Sequence, residues 1–218
     1  MTENKQYTGR LAPVKRWLDG VTEKHLIRGV GIVLLTGLLA GATAYTNASK
    51  IQIPVTGTAG VAGIVQSIAA IAAVIGTLLG WVVSAVIYHV GASVLGGKGS
   101  INRMFTLAGY ASIPALAQQL LRFVNYAIFN QTAITAAGGI AGTVLDYFNF
   151  FSIIGLVLVG VAVMVNYGLT GRKAALVALL PTIISIGLAL LARQLFGGLT
   201  AALANQSTGF FAGLRRVR

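Results

Sequence analysis

Residues 61–90 read VAGIVQSIAAIAAVIGTLLGWVVSAVIYHV, a run without one Lys, Arg, Asp or Glu. As an α-helix at 1.5 Å per residue this run is about 45 Å long, against a hydrocarbon core of about 30 Å. A helix that apolar and that long belongs in a bilayer, with length to spare for tilt.

The neighbouring sequence repeats the pattern. Further apolar runs lie at 29–45, 104–129, 147–167 and 174–196, and Asp146 is the only acidic residue after Glu23. Charged residues make up 9% of the 218-residue chain, and the mean hydropathy is +0.83. A soluble domain is about one quarter charged, so this surface is written for lipid. The sequence predicts an all-α polytopic membrane bundle of five transmembrane helices. It divides into a cytoplasmic N-terminal arm (1–28), a membrane domain (29–196) and a short basic tail (197–218) ending in Arg215, Arg216 and Arg218. The connections are Asn47–Gly60, broken by Pro54; a tight, flexible Gly96–Ser100 turn; a Gly- and Ala-rich Asn130–Asp146 loop; and Gly168–Lys173.

Within the arm, Pro13 suits a first helical turn. Val14, Leu18 and Val21 share one helical face, with Lys15, Arg16, Asp19 and Glu23 on the other. Two readings fit: an amphipathic helix lying on the membrane with Trp17 at headgroup depth, or a polar lead-in to the first span. The basic residues set the sidedness. With the N-terminus inside, the inner segments carry Lys5, Arg10, Lys15, Arg16, Lys24, Arg28, Lys98, Arg103, Arg172 and Lys173, and the outer loops carry only Lys50. This predicts an integral protein of a prokaryotic cell membrane, N-terminus cytoplasmic and C-terminus outside. The first run is too long for a signal-peptide core and has no convincing cleavage site.

The net charge of +12 is not a nucleic-acid signature, because the basic residues sit at the ends of apolar runs rather than on one polar face. With no cysteine there is no thiol chemistry. A di-aspartyl intramembrane protease needs two span acids, and a zinc protease needs a His pair with a Glu; neither is present in such a pattern. His89 near Ser84 or Ser93 supports a serine peptidase only weakly, and fits better as a helix-end residue bonding a neighbour or a headgroup. Gly96-Gly97-Lys98-Gly99-Ser100 lacks the spacing and setting of a phosphate loop. No catalytic, metal or cofactor residues are assigned.

Helices in lipid associate through small residues at spacing four. Ala72, Gly76, Gly80 and Ser84 form such a ridge, and Gly37 and Gly41 a shorter one; the two are expected to pack together, or against a second copy. Gln118, Arg122 and Asn125 share one face of the third span, with Tyr126 alongside. Arg122, Arg193 and Asp146 fall at similar depth, which predicts a buried Arg122–Asp146 or Arg193–Asp146 pair; the alternative is independent snorkelling.

The stretch from Val90 to Phe123 resembles the Yip family, the Ypt/Rab-interacting proteins. Leu95-Gly96-Gly97-Lys98-Gly99-Ser100 corresponds to the family's short Gly-rich turn between spans two and three. Leu107, Gly109, Tyr110 and Pro114 match its Leu-x-Gly-Tyr-x-x-x-Pro signature. Five spans, an inner N-terminus and a short outer C-terminus agree with the resemblance. The signature reads physically as a packing joint: Pro114 frees a carbonyl one turn back, Gly109 admits a close neighbour, and Tyr110 bonds the freed group or anchors at the interface. Eukaryotic members carry an acidic N-terminal region with an Asp-Leu-Tyr-Gly-Pro motif and bind prenylated Rab GTPases. This chain has no such motif, so the resemblance does not extend GTPase binding to it; it looks like the minimal prokaryotic type. The expected function is non-enzymatic membrane scaffolding, organisation or a trafficking-like role. The expected partners are lipids and a second copy or other membrane proteins. The alternative is a small channel, transporter or lipid-handling protein whose polar cavity uses Gln118, Arg122, Asn125 and Arg193.

Overall fold

The computed structural model describes residues 9–48, 59–128 and 149–191. The described residues are mainly helical, without strands. In chain order they form α1 (Ala12–Asp19), a 3-10 turn (Glu23–His25), α2 (Leu26–Ala48), α3 (Ala59–Val94), α4 (Ile101–Ala111), α5 (Ile113–Ile128), α6 (Phe150–Tyr167) and α7 (Gly171–Leu191). Four continuous helical stretches are long and apolar enough to cross a membrane: Glu23–Ala48, Gly63–Val94, Phe150–Tyr167 and Gly171–Leu191.

The third expected span is instead two helices of 11 and 16 residues, parted at Ser112. Pro114 has no amide hydrogen and cannot continue the ladder one turn back. The local repair comes from Ser112. Its amide turns to the Gly109 carbonyl (3.1 Å), and its hydroxyl donates to the Ala108 carbonyl (2.9 Å). Ser112 thus bonds the Ala108 and Gly109 carbonyls at the break.

Other helix ends follow from local chemistry. Ser100 and Asn149 cap α4 and α6, accepting from the amides of Arg103 and Ser152. Gly168 closes α6 at φ +67°, a conformation that favours glycine, and donates to the Met164 carbonyl.

The core has two centres. Tyr88, Ala92, Met104, Val163, Tyr167 and Val177 join α3, α4, α6 and α7. Leu18 and Val21 of the arm join Leu107 of α4 and Val161, Ala162 and Val165 of α6. The second centre changes the reading of α1. Its apolar face is docked on protein, with Leu18 0% exposed, rather than free to lie in lipid. Trp17 stays 44% exposed and meets Tyr110 edge-on at 6.0 Å.

The two small-residue ridges do not meet. A Cβ on Gly37 would lie 3.4 Å from the Val74 carbonyl oxygen, and one on Gly41 would lie 3.0 Å from that of Ala70. α2 therefore packs on the Ala70–Val74–Thr77 face of α3, while Gly76 and Gly80 face open space. α3, 36 residues long, leaves most of its length exposed.

Candidate functional site

The densest polar chemistry lies at the basic end of the bundle, around the Leu95–Ser100 turn. The turn is pinned rather than flexible. Gly96 adopts φ +86°. A Cβ on Gly97 would stand 2.8 Å from the Tyr167 Cβ, and one on Gly99 would stand 2.6 Å from the Asn166 carbonyl oxygen, so the turn lies flat on the end of α6. The Lys98 amide donates to the Tyr167 carbonyl (3.2 Å), and the Asn166 side-chain amide donates to the Ser100 carbonyl (2.9 Å). Lys173 Nζ donates to the Leu95 carbonyl (3.0 Å).

His89 Nδ1 sits 2.8 Å from the Tyr167 hydroxyl. Ser93 turns its hydroxyl to the His89 carbonyl instead of the imidazole. The histidine is a tie between α3 and α6, not a base aimed at a serine.

The arm is latched to the same place. Arg103, in the first turn of α4, reaches the Asp19 carboxylate (3.1 Å) and the carbonyls of Asp19 (3.0 Å) and Val21 (3.2 Å). The Ser100 hydroxyl donates to Glu23 Oε1. The two side chains of the ion pair are 23% and 31% exposed, so water weakens the charge term, and the two carbonyl bonds add to it. Two of the chain's four acidic residues are thus spent on holding the arm to the α3–α4 turn. Sequence reading assigned Asp19 and Glu23 to a solvated face and Arg103 to sidedness. The available signal was the scarcity of acids, which makes each carboxylate a marked position.

The signature residues gather beside this latch. Leu107 is fully buried in the arm's core cluster, and Tyr110 packs against it and against Trp17. Gly109 lies against the Gly29 backbone: a Cβ there would come within 2.7 Å of it. Pro114 opens α5 and is buried.

The predicted polar face of the third span forms a separate site. Gln118, Arg122 and Asn125 of α5 face Asn149, Phe150 and Phe151 across an open groove of about 460 Å³. Arg122 is 22 residues beyond Ser100, on the far side of the break at Ser112. The Arg122 side chain is exposed, so the predicted buried pair is not buried at that residue. Asp146 and Arg193 lie outside the described residues. The groove's amides and guanidinium can bond a polar or anionic group. Among the described residues no cluster of metal-ligating side chains occurs.

A family model for the Yip1 domain matches residues 11–192. Neither the curated proteins nor the solved structures contain a match to the chain. The matched stretch runs from the start of α1 to the end of α7 and takes in both the Gly-rich turn and the Leu107–Pro114 signature. The chain is an integral membrane protein and belongs to the Yip1-domain family.

Proposed function

We propose that this protein is a non-enzymatic membrane scaffold of the minimal prokaryotic Yip type, with five crossings, a cytoplasmic N-terminus and an outer C-terminus. α2, α3, the α4–α5 pair, α6 and α7 are the crossings. The observation that carries the reading is the latch: the polar side chains at the basic end are occupied in joining helix to helix and arm to bundle. Asp19, Glu23, Ser100, Arg103, Asn166 and Lys173 all bond other parts of the chain. A surface built this way presents Lys and Arg to anionic headgroups and keeps a fixed shape beneath them.

The reading is tested by reconstitution into vesicles of phosphatidylcholine and phosphatidylglycerol. Electron microscopy should show a protein-dependent change in vesicle shape or protein clustering, and an ion-sensitive dye should show no flux. Protein-dependent flux with unchanged vesicles contradicts it.

A second reading has its own observation, the open groove at Gln118, Arg122 and Asn125. On that reading the protein moves or binds a polar solute or lipid headgroup there, and flux would fall on Arg122→Gln.

A further inference from the structure

Helices α6 and α7 form a hairpin whose turn, Gly168–Thr170, lies at the basic end. A groove of about 290 Å³ lies between the two helices. On α6 its lining extends from Leu156 to Met164, and on α7 from Gly171 to Leu179. Each stretch advances eight residues, about 12 Å of helix. The groove therefore starts at the hairpin and runs along both helices away from the basic end. It is open outward, because Val157 is 46% exposed and Gly171 and Ala175 are exposed as well. Leu11, one residue before α1, completes the lining.

The small residues here do not bring the helices into close contact. A Cβ on Gly160 would have the Ala178 Cβ as its nearest neighbour at 4.0 Å, and one on Gly171 would have the Met164 methyl at 3.8 Å. The 2.7 Å approach at Gly109 shows what a packing glycine looks like in the same bundle. At Gly160 and Gly171 the space is left over. Every side chain that borders it is apolar, so the occupant is a hydrocarbon chain.

The charges beside the groove select the head of that chain. Arg172 stands three residues before Ala175 and seven before Leu179, which puts all three on one face of α7. Helical side chains lean towards the N-terminus of their helix, and the N-terminus of α7 is at the basic end. The Arg172 guanidinium therefore stands at the mouth of the groove. Arg10 is the residue next to Leu11. Both arginines are exposed, and neither has a hydrogen bond or an ion pair among the described residues. The described carboxylates cannot balance them, since Asp19 and Glu23 are held by Arg103 and Ser100. Two unmatched cations beside a wholly apolar groove complement an amphiphile with an anionic head. We propose that the α6–α7 groove binds one anionic phospholipid, one acyl chain lying along Val157, Gly160 and Ala175 and the phosphate meeting Arg172 and Arg10. The site goes beyond the scaffold reading and does not depend on it, and it is distinct from the Arg122 groove.

Native mass spectrometry tests it by counting the lipids that stay on the protein. The full chain in detergent is given phosphatidylglycerol and chain-deuterated phosphatidylcholine in equal amounts. The expected result is one retained phosphatidylglycerol per chain, with a preference over phosphatidylcholine of about thirtyfold at the strength usual for two basic side chains near a membrane surface. In the double variant Arg10→Gln and Arg172→Gln the preference falls to about one. Gly160→Leu, which has room for its Cβ and fills the groove, retains neither lipid. Equal retention of the two lipids by the native chain overturns the proposal, and so does an undiminished preference in the double variant. A dimer that is lost in Gly160→Leu also overturns it and makes a second copy the occupant. The double variant changes only exposed side chains and decides the matter even where Gly160→Leu does not fold.

Discussion

Gly109 and Gly29 meet backbone to backbone: a Cβ placed on Gly109 would stand 2.7 Å from the Cα and carbonyl carbon of Gly29. This contact joins α4 to α2 at the basic end, one turn from the break at Ser112, and gives the Leu107–Pro114 signature its mechanical meaning. Gly109→Ala should destabilise the bundle by about 1–3 kcal/mol, the usual cost of overpacking a tight contact. Gly76→Ala, with no neighbour at its Cβ, should leave stability unchanged. Thermal melting of the two variants in the same detergent checks the contrast; equal melting temperatures would refute the contact.

Arg103 holds the arm through three bonds, of which only one is to the Asp19 carboxylate. Asp19→Asn keeps the two carbonyl bonds and should loosen the arm slightly, within the range of about 0.2–1 kcal/mol for a partly exposed ion pair. Arg103→Ala removes all three and strands the carbonyls, so it should release α1. Hydrogen exchange over residues 12–25 reads the difference: fast exchange in Arg103→Ala, near-native exchange in Asp19→Asn. Native protection in both variants would mean that the arm is held by Leu18 and Val21 alone.

A Cβ on Gly76 of α3 would meet no atom of the described chain within 4 Å. A second copy of the protein is the occupant proposed for that space. The sequence has no cysteine, so Gly76→Cys supplies a single thiol. Oxidation in native membranes should yield a covalent dimer from Gly76→Cys and none from Gly41→Cys, because Gly41 is covered by Val74 and Ala70 of the same chain. Monomer alone from both variants counts against a second copy on this face.

Arg122 is exposed. Arg122→Gln should therefore change stability by no more than about 0.5 kcal/mol, as for a surface position. Urea or thermal unfolding in detergent measures it. A loss of several kcal/mol would restore a paired, structural arginine.

The membrane class was legible because thirty consecutive uncharged residues admit no other home. The ridge at Gly37 and Gly41 was also legible, since close approach demands small residues. Its partner face was not. Ala70 and Ala72 differ by two residues, roughly 200° around the helix, and on a helix as uniformly apolar as α3 small residues mark several faces at once. The same ambiguity hid the docking of α1. An apolar stripe reads identically whether it meets lipid or Val161 and Val165, and only the placement of Arg103 opposite Asp19 separates the two. Pro114 announced a distortion of the third span. That α4 ends at Ser112 rather than bending smoothly depends on the serine hydroxyl competing for the Ala108 carbonyl, a choice that no apolar period records.

The α4–α5 pair decides the architecture, because neither helix alone is long enough to cross. Cysteines placed singly at Lys98 and Asn125, in a chain otherwise free of thiols, can be labelled from either side of sealed cells with an impermeant maleimide. Five crossings predict that the Lys98→Cys protein reacts only from the cytoplasmic side and the Asn125→Cys protein only from the outer side. Labelling of both positions from the same side would make α4–α5 a re-entrant pair and contradict the five-crossing account.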